Sequence, residues 1–339
     1  MLKTLSNLVK LVRHPSPEVG RTPHVVVHAE NKWRLLRFSA PSGLQPSRRL
    51  PLLLVPSMIN RWYVLDLRRG SSFCEALVGG GVDTFLLDWG VPRDEDRHLT
   101  WEEVIDRLAR MVRRVQRITG APRVGILGYC MGATLASVYA ALHPTSVAAL
   151  ANLAGPIDFH QGGILAHLVR PEWFDPDAVA DAGNVSPKQM QSGFQAMRPT
   201  LDVSKIINLL DRAKGGKAVF DGFYAMETWG SDNIPFPAAA YRTYITELYQ
   251  QNLLFKGEHR VRGRRADLKS ITAPVLVIGA DRDTICPLPA ARALIDASSA
   301  EDTRVLQVPG GHVGAVVGSR AAKDLYPATT AWFRQRLSA

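Results

Sequence analysis

The chain has 339 residues and a formal net charge of +10. Its length suits one large α/β body with an inserted subdomain, and its three widely spaced cysteines, Cys74, Cys130 and Cys286, argue against a disulfide scaffold or a zinc site. The positive charge favours anionic partners, but no nucleic-acid-binding motif accompanies it.

The first 14 residues contain no signal-peptide core, because Lys3, Lys10 and Arg13 interrupt their apolar stretches. No apolar run elsewhere approaches the length of a transmembrane helix, so we expect a cytoplasmic protein without a transmembrane segment. One helical face of the N-terminal segment is apolar and consists of Leu2, Leu5, Leu8, Val9 and Val12. Packing against the protein's own body explains this face better than contact with a lipid-like surface or a partner.

Residues 1–40 are predicted to form an N-terminal segment that ends in a hairpin, with strands at 24–28 and 33–38 around a polar turn at Asn31. A Pro/Ser-rich link follows at 41–49. Further buried strands are predicted at 52–55, 82–87, 124–127, 148–153, 275–278 and 305–308. Helical patterns separate them, which predicts a mostly parallel sheet covered on both faces, with the active site beyond the carboxyl ends of the strands.

The clearest predicted helix opens with Thr100 and Glu103, the two residues of a capping box. Apolar residues then recur at helical spacing and predict a single buried stripe. The stripe consists of Val104, Ile105, Leu108, Met111, Val112, Val115 and Ile118.

The alternation of strands and helices stops between residues 156 and 269, and this segment is predicted to be a largely helical cap. It separates a first part of the core, 41–155, from a second part, 270–339. Its aromatic residues would shield a reactive bond from water and hold an apolar chain, although ordinary packing explains most aromatics in a subdomain. They are Phe159, Trp173, Phe174, Phe194, Phe220, Phe223, Tyr224, Trp229, Phe236, Tyr241 and Tyr249.

The end of the cap carries the densest basic stretch of the chain, residues 256–269. Its arginines are Arg260, Arg262, Arg264 and Arg265. A phosphate-bearing acyl carrier such as coenzyme A is one anionic partner that they would attract. A solvated loop is the interpretation that we prefer.

The stretch Gly128-Tyr129-Cys130-Met131-Gly132 lies between a strand pattern and a helix pattern. This is the sequence form of a nucleophile elbow with Cys in place of Ser. The glycines allow close passage of neighbouring backbone, and the start of the following helix favours the reactive thiolate of Cys130. Burial as one more small apolar side chain is the alternative for this cysteine, and the flanking strand and helix patterns argue against it.

Two later loops carry candidate acid and base residues in the chain order that elbow enzymes use. His312, between glycines after the 305–308 strand, is the candidate base. Asp281 and Asp283 both follow the 275–278 strand, and we prefer Asp283 because it lies deeper in the loop, whereas Asp281 suits a turn cap or a partner of Arg282.

The oxyanion hole is predicted to combine the backbone N–H of Met131 with one from the turn after the 52–55 strand. Pro56 has no N–H. The second donor is therefore Ser57 or Met58.

Six stretches together resemble the polyhydroxyalkanoate synthases, most closely the catalytic subunit of the two-subunit class III type. They are VPSMINRWYVLDL at 55–67, LDWGVP at 87–92, GYCMG at 128–132, METW at 226–229, LYQQN at 248–252 and PGGHVG at 309–314. The similarity covers nearly the whole chain after residue 40. The chain departs from the family where Cys-Gln-Gly-Gly and Asp-His are common, since it has Met131 after the cysteine and Thr284 after Asp283.

The resemblance implies an α/β-hydrolase fold and an acyltransferase that polymerises 3-hydroxyacyl-CoA with release of CoA. It implies that His312 removes the thiol proton, that Cys130 attacks the thioester and carries the growing polyester, and that Asp283 orients His312 or helps to activate the incoming hydroxyl. No metal and no cofactor are expected, since coenzyme A is part of the substrate. A homodimer at the surface of polyester granules is also implied, whereas a companion subunit cannot be inferred from this chain.

Two other functions remain open at this point. One is a hydrolase with a Cys elbow, such as a thioesterase, a polyester depolymerase or a lactone hydrolase. The other is a non-catalytic granule-associated paralogue, against which the three candidate residues Cys130, Asp283 and His312 argue.

Overall fold

The computed structural model describes residues 18–39, 50–196 and 217–338. The N-terminal apolar face and the Pro/Ser-rich link lie outside this part of the chain. The side chains of Phe194 and Phe220, which the sequence assigned to the cap aromatics, also lie outside it.

The centre of the molecule is an eight-stranded sheet. Its strands are β1 (His24–Glu30), β2 (Trp33–Phe38), β3 (Leu52–Val55), β6 (Thr84–Asp88), β7 (Val124–Tyr129), β8 (Val147–Leu153), β11 (Val275–Ala280) and β12 (Thr303–Val308). The strand order in the sheet is β1-β2-β6-β3-β7-β8-β11-β12. Strands β6, β3, β7, β8, β11 and β12 pair in parallel, and the β1–β2 hairpin joins β6 antiparallel. Short two-stranded ribbons are formed by β4 (Asp66–Arg68) with β5 (Ser71–Ser72), and by β9 (Arg260–Val261) with β10 (Arg264–Arg265).

The central strands are buried along their whole length because helices cover both faces of the sheet. Every residue of β3, β7, β8 and β11 is buried. Two apolar clusters, one on each side, contain alternate residues of the same strands; Leu53 and Val55 belong to one, Leu52 and Leu54 to the other. All eight strands that the sequence predicts are present, and the expected mostly parallel α/β sheet is confirmed. The prediction that 305–308 is buried is wrong, because β12 is the edge strand of the sheet and Val305 is 41% exposed.

Helices connect and cover the strands. They are α1 (Phe73–Gly79), α2 (Trp101–Thr119), α3 (Met131–Leu142), α4 (Gly163–Leu168), α5 (Pro176–Asp181), α6 (Pro187–Ala196), α7 (Lys217–Ser231), α8 (Ala238–Thr243), α9 (Leu253–Lys256), α10 (Leu288–Ala297), α11 (Gly314–Val317) and α12 (Ala321–Arg336). A π-helical turn, Tyr244–Gln250, continues α8. Six of these helices and the π-helical turn lie between β8 and β11, where the alternation with long strands is interrupted.

Helix α2 begins as its capping box predicts. The Glu103 N–H donates to Thr100 Oγ1 over 3.2 Å, and the Thr100 N–H donates to Glu103 Oε2 over 2.9 Å. The predicted apolar stripe is buried from Val104 to Val115, but Ile118 is 38% exposed. The stripe prediction is wrong for Ile118, because this residue lies in the last turn before the left-handed Gly120 ends the helix, beyond the core.

The basic stretch lies at the end of α3 that is remote from Cys130. Arg264 donates to the carbonyl of Leu142, the last residue of α3, and Arg262 bonds to Asp106 of α2. Since a 12-residue helix rises about 18 Å, the stretch is far from the elbow. Its arginines are exposed, as expected of a solvated loop.

Among the residues that the structure describes, we find no helix with both the length and the apolar character needed to cross a bilayer.

Candidate active site

Cys130 lies at the sharp turn between β7, which ends at Tyr129, and α3, which begins at Met131. Its φ of 55° and ψ of −129° are strained for a residue with a side chain. The Cys130 N–H donates to the carbonyl of Leu153 over 2.9 Å, which ties the turn to the end of β8. The half-buried sulfur is therefore presented at the carboxyl edge of the sheet.

The two elbow glycines are required by close backbone contacts. A Cβ on Gly128 would lie 2.2 Å from Cα of Ala133, and one on Gly132 would lie 2.0 Å from the carbonyl oxygen of Val55. Both distances are well below van der Waals contact. The end of β3 thus passes directly over the first turn of α3.

His312 and Asp283 form a buried pair at the same edge of the sheet. Nδ1 of His312 lies 2.7 Å from Oδ2 of Asp283, and the exposed fractions of the two residues are 7% and 6%. The other carboxylate oxygen, Oδ1, accepts from the backbone N–H groups of Ile285 and Cys286, each over 2.9 Å. One oxygen of Asp283 is thereby held by its own loop while the other holds the imidazole.

Asp281 has a different position. Its Oδ1 accepts from the Gly310 N–H over 2.7 Å, and this hydrogen bond lowers the pKa of its carboxyl. The Arg282 N–H returns a hydrogen bond to the Gly310 carbonyl over 2.9 Å. Asp281 therefore joins the loop of Asp283 to the loop of His312. Of the two candidate acids, the structure brings Asp283 against the histidine.

Tyr129, the residue before the nucleophile, supports the imidazole from one side. Its ring stacks on that of His312 with centroids 5.6 Å apart and an interplanar angle of 26°. Its hydroxyl donates to the His312 carbonyl over 3.4 Å. Sequence reasoning missed this contact, because 183 positions separate the two residues and no local pattern joins them.

The pKa of His312 is raised from 6.5 to about 10. Burial alone would lower it, but the interaction with Cys130 and the hydrogen bond to Asp283 outweigh burial because both stabilise the imidazolium. Nε2 is buried and forms no hydrogen bond of ordinary geometry with any described residue. The Cys130 sulfur thus lies near enough to affect His312 without completing that bond, as is common for catalytic groups before substrate binds.

This raised pKa predicts a pH-dependent stability. A group with a raised pKa in the folded state stabilises the folded protein. This stabilisation is fully present below the pKa of the unfolded state, near 6.5, and is lost as pH rises through about 10. We expect the free energy of unfolding of wild type, minus that of His312→Gln, to fall by about 2 to 3 kcal/mol between about pH 8 and pH 10.5, since one pKa unit corresponds to about 1.4 kcal/mol. Urea unfolding at each pH measures it.

The matched control is His143→Gln. Burial lowers the pKa of His143, so this histidine is neutral over the whole pH range. The free energy of unfolding of wild type, minus that of His143→Gln, should therefore not change with pH. A flat difference for His312 as well would contradict the raised pKa.

Three buried residues around the cysteine were not assigned to the site by sequence reasoning: Tyr244, Tyr249 and Cys286. Burial, followed by the proximity of Cys130 and Cys286, raises the pKa of Tyr249. The pKa of Tyr244 is raised by burial and then by the proximity of Tyr249 and Cys130. The two tyrosines are five residues apart, and the π-helical turn that brings both towards the cysteine is visible only in the structure.

The candidate oxyanion donors lie on both sides of the elbow. Met131 is the first residue of α3, and Ser57 and Met58 follow β3 directly. All three are 2% exposed. The hydrogen-bonding role of each remains a prediction. In the described ranges no cluster of three or more His, Cys, Asp or Glu side chains is arranged to hold a metal ion.

A parallel sheet with a strained cysteine at the strand-to-helix turn and a buried His–Asp pair on later loops defines a protein of the α/β-hydrolase class. The sequence model of the alpha/beta hydrolase fold matches residues 51–319. A second model, of the poly-beta-hydroxybutyrate polymerase (PhaC) N-terminus, matches residues 16–77. The chain belongs to the PhaC family of poly(3-hydroxyalkanoate) polymerases, and the family resemblance is confirmed.

Two relatives illustrate the similarity. The poly(3-hydroxyalkanoate) polymerase subunit PhaC of Haloferax mediterranei is 36% identical over 94% of this chain, which spans 65% of that protein. The protein of the same name from Allochromatium vinosum is 33% identical over 94% of this chain, which spans 90% of it.

A solved structure supports the fold alone. The enol-lactonase from Burkholderia xenovorans aligns with 92% of this chain and all of its own, with a TM-score of 0.54 and 15% identity.

Proposed function

We propose that this protein is an acyltransferase that polymerises 3-hydroxyacyl-CoA into polyhydroxyalkanoate and releases CoA. The observation that carries the proposal is a cysteine at a strained elbow beside a buried His312–Asp283 pair, 2.7 Å between Nδ1 and Oδ2, in a chain of the PhaC family. The polymerase activity itself is carried over from the names of the relatives.

In the first half-reaction, Cys130 reacts as a thiolate, because its proton is already held on Nε2 of His312, whose pKa is raised to about 10. The thiolate attacks the thioester carbonyl, the bond from that carbon to the CoA sulfur breaks, and His312 returns the proton to the departing CoA thiolate. The raised pKa of His312 supports this step, because it keeps the imidazolium that pairs with the thiolate and then protonates the leaving group. Asp283 holds Nδ1, so Nε2 is the nitrogen that faces the sulfur.

In the second half-reaction, a 3-hydroxyl group attacks the acyl carbon on Cys130. His312 takes the hydroxyl proton, an ester bond forms, and the cysteine thiolate is released. Exchange between two thioesters is nearly isoenergetic, so the acyl group on sulfur stays activated for attack by an alcohol. The hydrogen bond to His312 makes orientation of the imidazole the role of Asp283 that the geometry favours.

The backbone N–H of Met131 and that of Ser57 or Met58 would stabilise the oxyanion of both steps. We assign residues 156–269 to a cap over the site; it contributes Tyr244 and Tyr249 near Cys130. Coenzyme A enters and leaves as part of the substrate, and no resident cofactor is proposed.

We further propose that the protein acts in the cytoplasm at the surface of polyester granules and forms a homodimer. A companion subunit is also proposed, since both relatives are known as polymerase subunits.

Incubation of the purified protein with 3-hydroxybutyryl-CoA tests the function. We expect free CoA together with an insoluble polymer. Free hydroxy acid as the sole acyl product would instead identify a hydrolase. Absence of CoA release, both alone and with a class III companion subunit, would identify a non-catalytic paralogue.

A further inference from the structure

The Ser57 side chain is a buried polar group that nothing in the described structure satisfies. The residue is 2% exposed, and its Oγ has no hydrogen-bond partner among the described residues. Most buried hydroxyl groups in proteins have a partner, because an unsatisfied one loses its bonds to water without replacement. A hydroxyl left in this state at a reaction site is available to a ligand.

The register of the sheet places Ser57 beside the nucleophile. In the parallel pair of β3 and β7, Val55 lies opposite Gly128. Ser57 lies two residues after Val55, and Cys130 lies two residues after Gly128. The two residues therefore follow paired positions on neighbouring strands, which are about 4.8 Å apart. Both residues leave the sheet at its carboxyl edge.

Close contacts fix the segment that carries Ser57. The Pro56 carbonyl oxygen would lie 2.6 Å from a Cβ on Gly132, so the backbone before Ser57 rests on the first turn of α3. The same oxygen accepts from Trp89 Nε1 over 2.8 Å. Met58, on the other side, packs in the apolar cluster that contains Met131. The segment that carries Ser57 is thus held next to the helix that begins at the nucleophile.

We infer that the Ser57 hydroxyl is a side-chain donor of the oxyanion hole, in addition to the backbone N–H groups. It donates a hydrogen bond to the oxygen that becomes negatively charged when the Cys130 sulfur bonds to the acyl carbon. A positioned donor that is free before the reaction and engaged in the transition state lowers the barrier without reorganisation. The inference rests on Cys130 being the nucleophile, as in the proposed function, but it applies to any acyl group on that sulfur.

The test compares variants of Ser57 that keep the backbone N–H unchanged. Turnover is measured with a chromogenic thioester of a simple acyl group and an added alcohol as the acyl acceptor, which need no hydroxyacyl-specific contacts, and separately with 3-hydroxybutyryl-CoA. For Ser57→Ala we expect kcat to fall about 10²-fold to 10³-fold with KM nearly unchanged, since the bond is made only in the transition state. Ser57→Thr, which keeps a hydroxyl, should recover part of the loss.

Thr329→Val is the matched control. Thr329 lies on α12 and also has a fully buried hydroxyl without a partner in the described chain, but it is not at the elbow. Its removal should leave kcat unchanged for both substrates. Thermal unfolding of each variant shows whether folding is retained.

Three results would overturn the inference: wild-type kcat in Ser57→Ala, a loss that falls entirely on KM, or equal losses in the Ala and Thr variants. The simple thioester distinguishes failure of the inference about Ser57 from failure of the proposed polymerase function. If Ser57→Ala lowers turnover of the simple thioester while neither wild type nor any variant makes polymer, the inference stands and the proposed polymerisation fails. If wild type makes polymer and Ser57→Ala makes it equally fast, the inference alone fails.

Discussion

Replacement of Cys130 by alanine is expected to lower CoA release from 3-hydroxyacyl-CoA by about 10⁴-fold or more, to the background rate. The sulfur is the atom that bonds to the acyl carbon, and no other described thiol is presented at the elbow. Free thiol produced with short-chain and medium-chain substrates measures the loss. Mass spectrometry of the wild-type protein after a single turnover should find the acyl adduct on the peptide that contains residue 130.

Cys286→Ala is the control for this result. Cys286 is 1% exposed, and burial, then Asp283 and Cys130, raises the pKa of its thiol, which disfavours the reactive thiolate. We expect this variant to keep the adduct and most of the activity. An adduct on a peptide without residue 130, or full activity in Cys130→Ala, would show that the nucleophile is wrongly assigned.

The second large effect is expected at Asp283. Asp283→Asn should lower CoA release by about 10²-fold to 10⁴-fold, because an amide at this position no longer stabilises the imidazolium or fixes its tautomer. Asp281→Asn is the matched variant on the same loop, and we expect its activity to stay within a few-fold of wild type. Initial rates of CoA release at saturating substrate measure both.

The pH profile adds a readout that a loss of folding would not mimic. Without the carboxylate, one of the interactions that raise the pKa of His312 is removed, so the alkaline limb of activity should move to lower pH in Asp283→Asn. Loss of activity in Asp281→Asn with retention in Asp283→Asn would reverse the assignment of the two carboxylates.

The parts of the fold and site that sequence predicted are those encoded in local patterns. The strand at Leu52–Val55 is a short, wholly apolar run, and the capping box at Thr100 and Glu103 marks the start of α2. The elbow has its own five-residue pattern. His312 was found because its flanking glycines and its position after a strand are also local.

The contacts that escaped prediction depend on distant segments. Whether Asp281 or Asp283 reaches His312 depends on how two loops 29 residues apart meet, and their sequences allow either. The stacking of Tyr129 on His312 and the approach of Tyr244 depend on the sheet order and on a π-helical turn that lacks a sequence signal. The unpartnered state of the Ser57 hydroxyl is likewise a property of all its neighbours together.

The two hydrogen bonds that join Asp281 and Arg282 to Gly310 make the acid loop and the base loop one mechanical unit. The carboxylate of Asp283 and the imidazole of His312 therefore lose their conformational entropy when the polypeptide folds, and they need not be aligned again in each catalytic cycle. In the proposed polymerase, substrate and polymer can then come and go while the proton-transfer geometry stays constant, which suits a catalyst that repeats the same bond formation many times on one attached product.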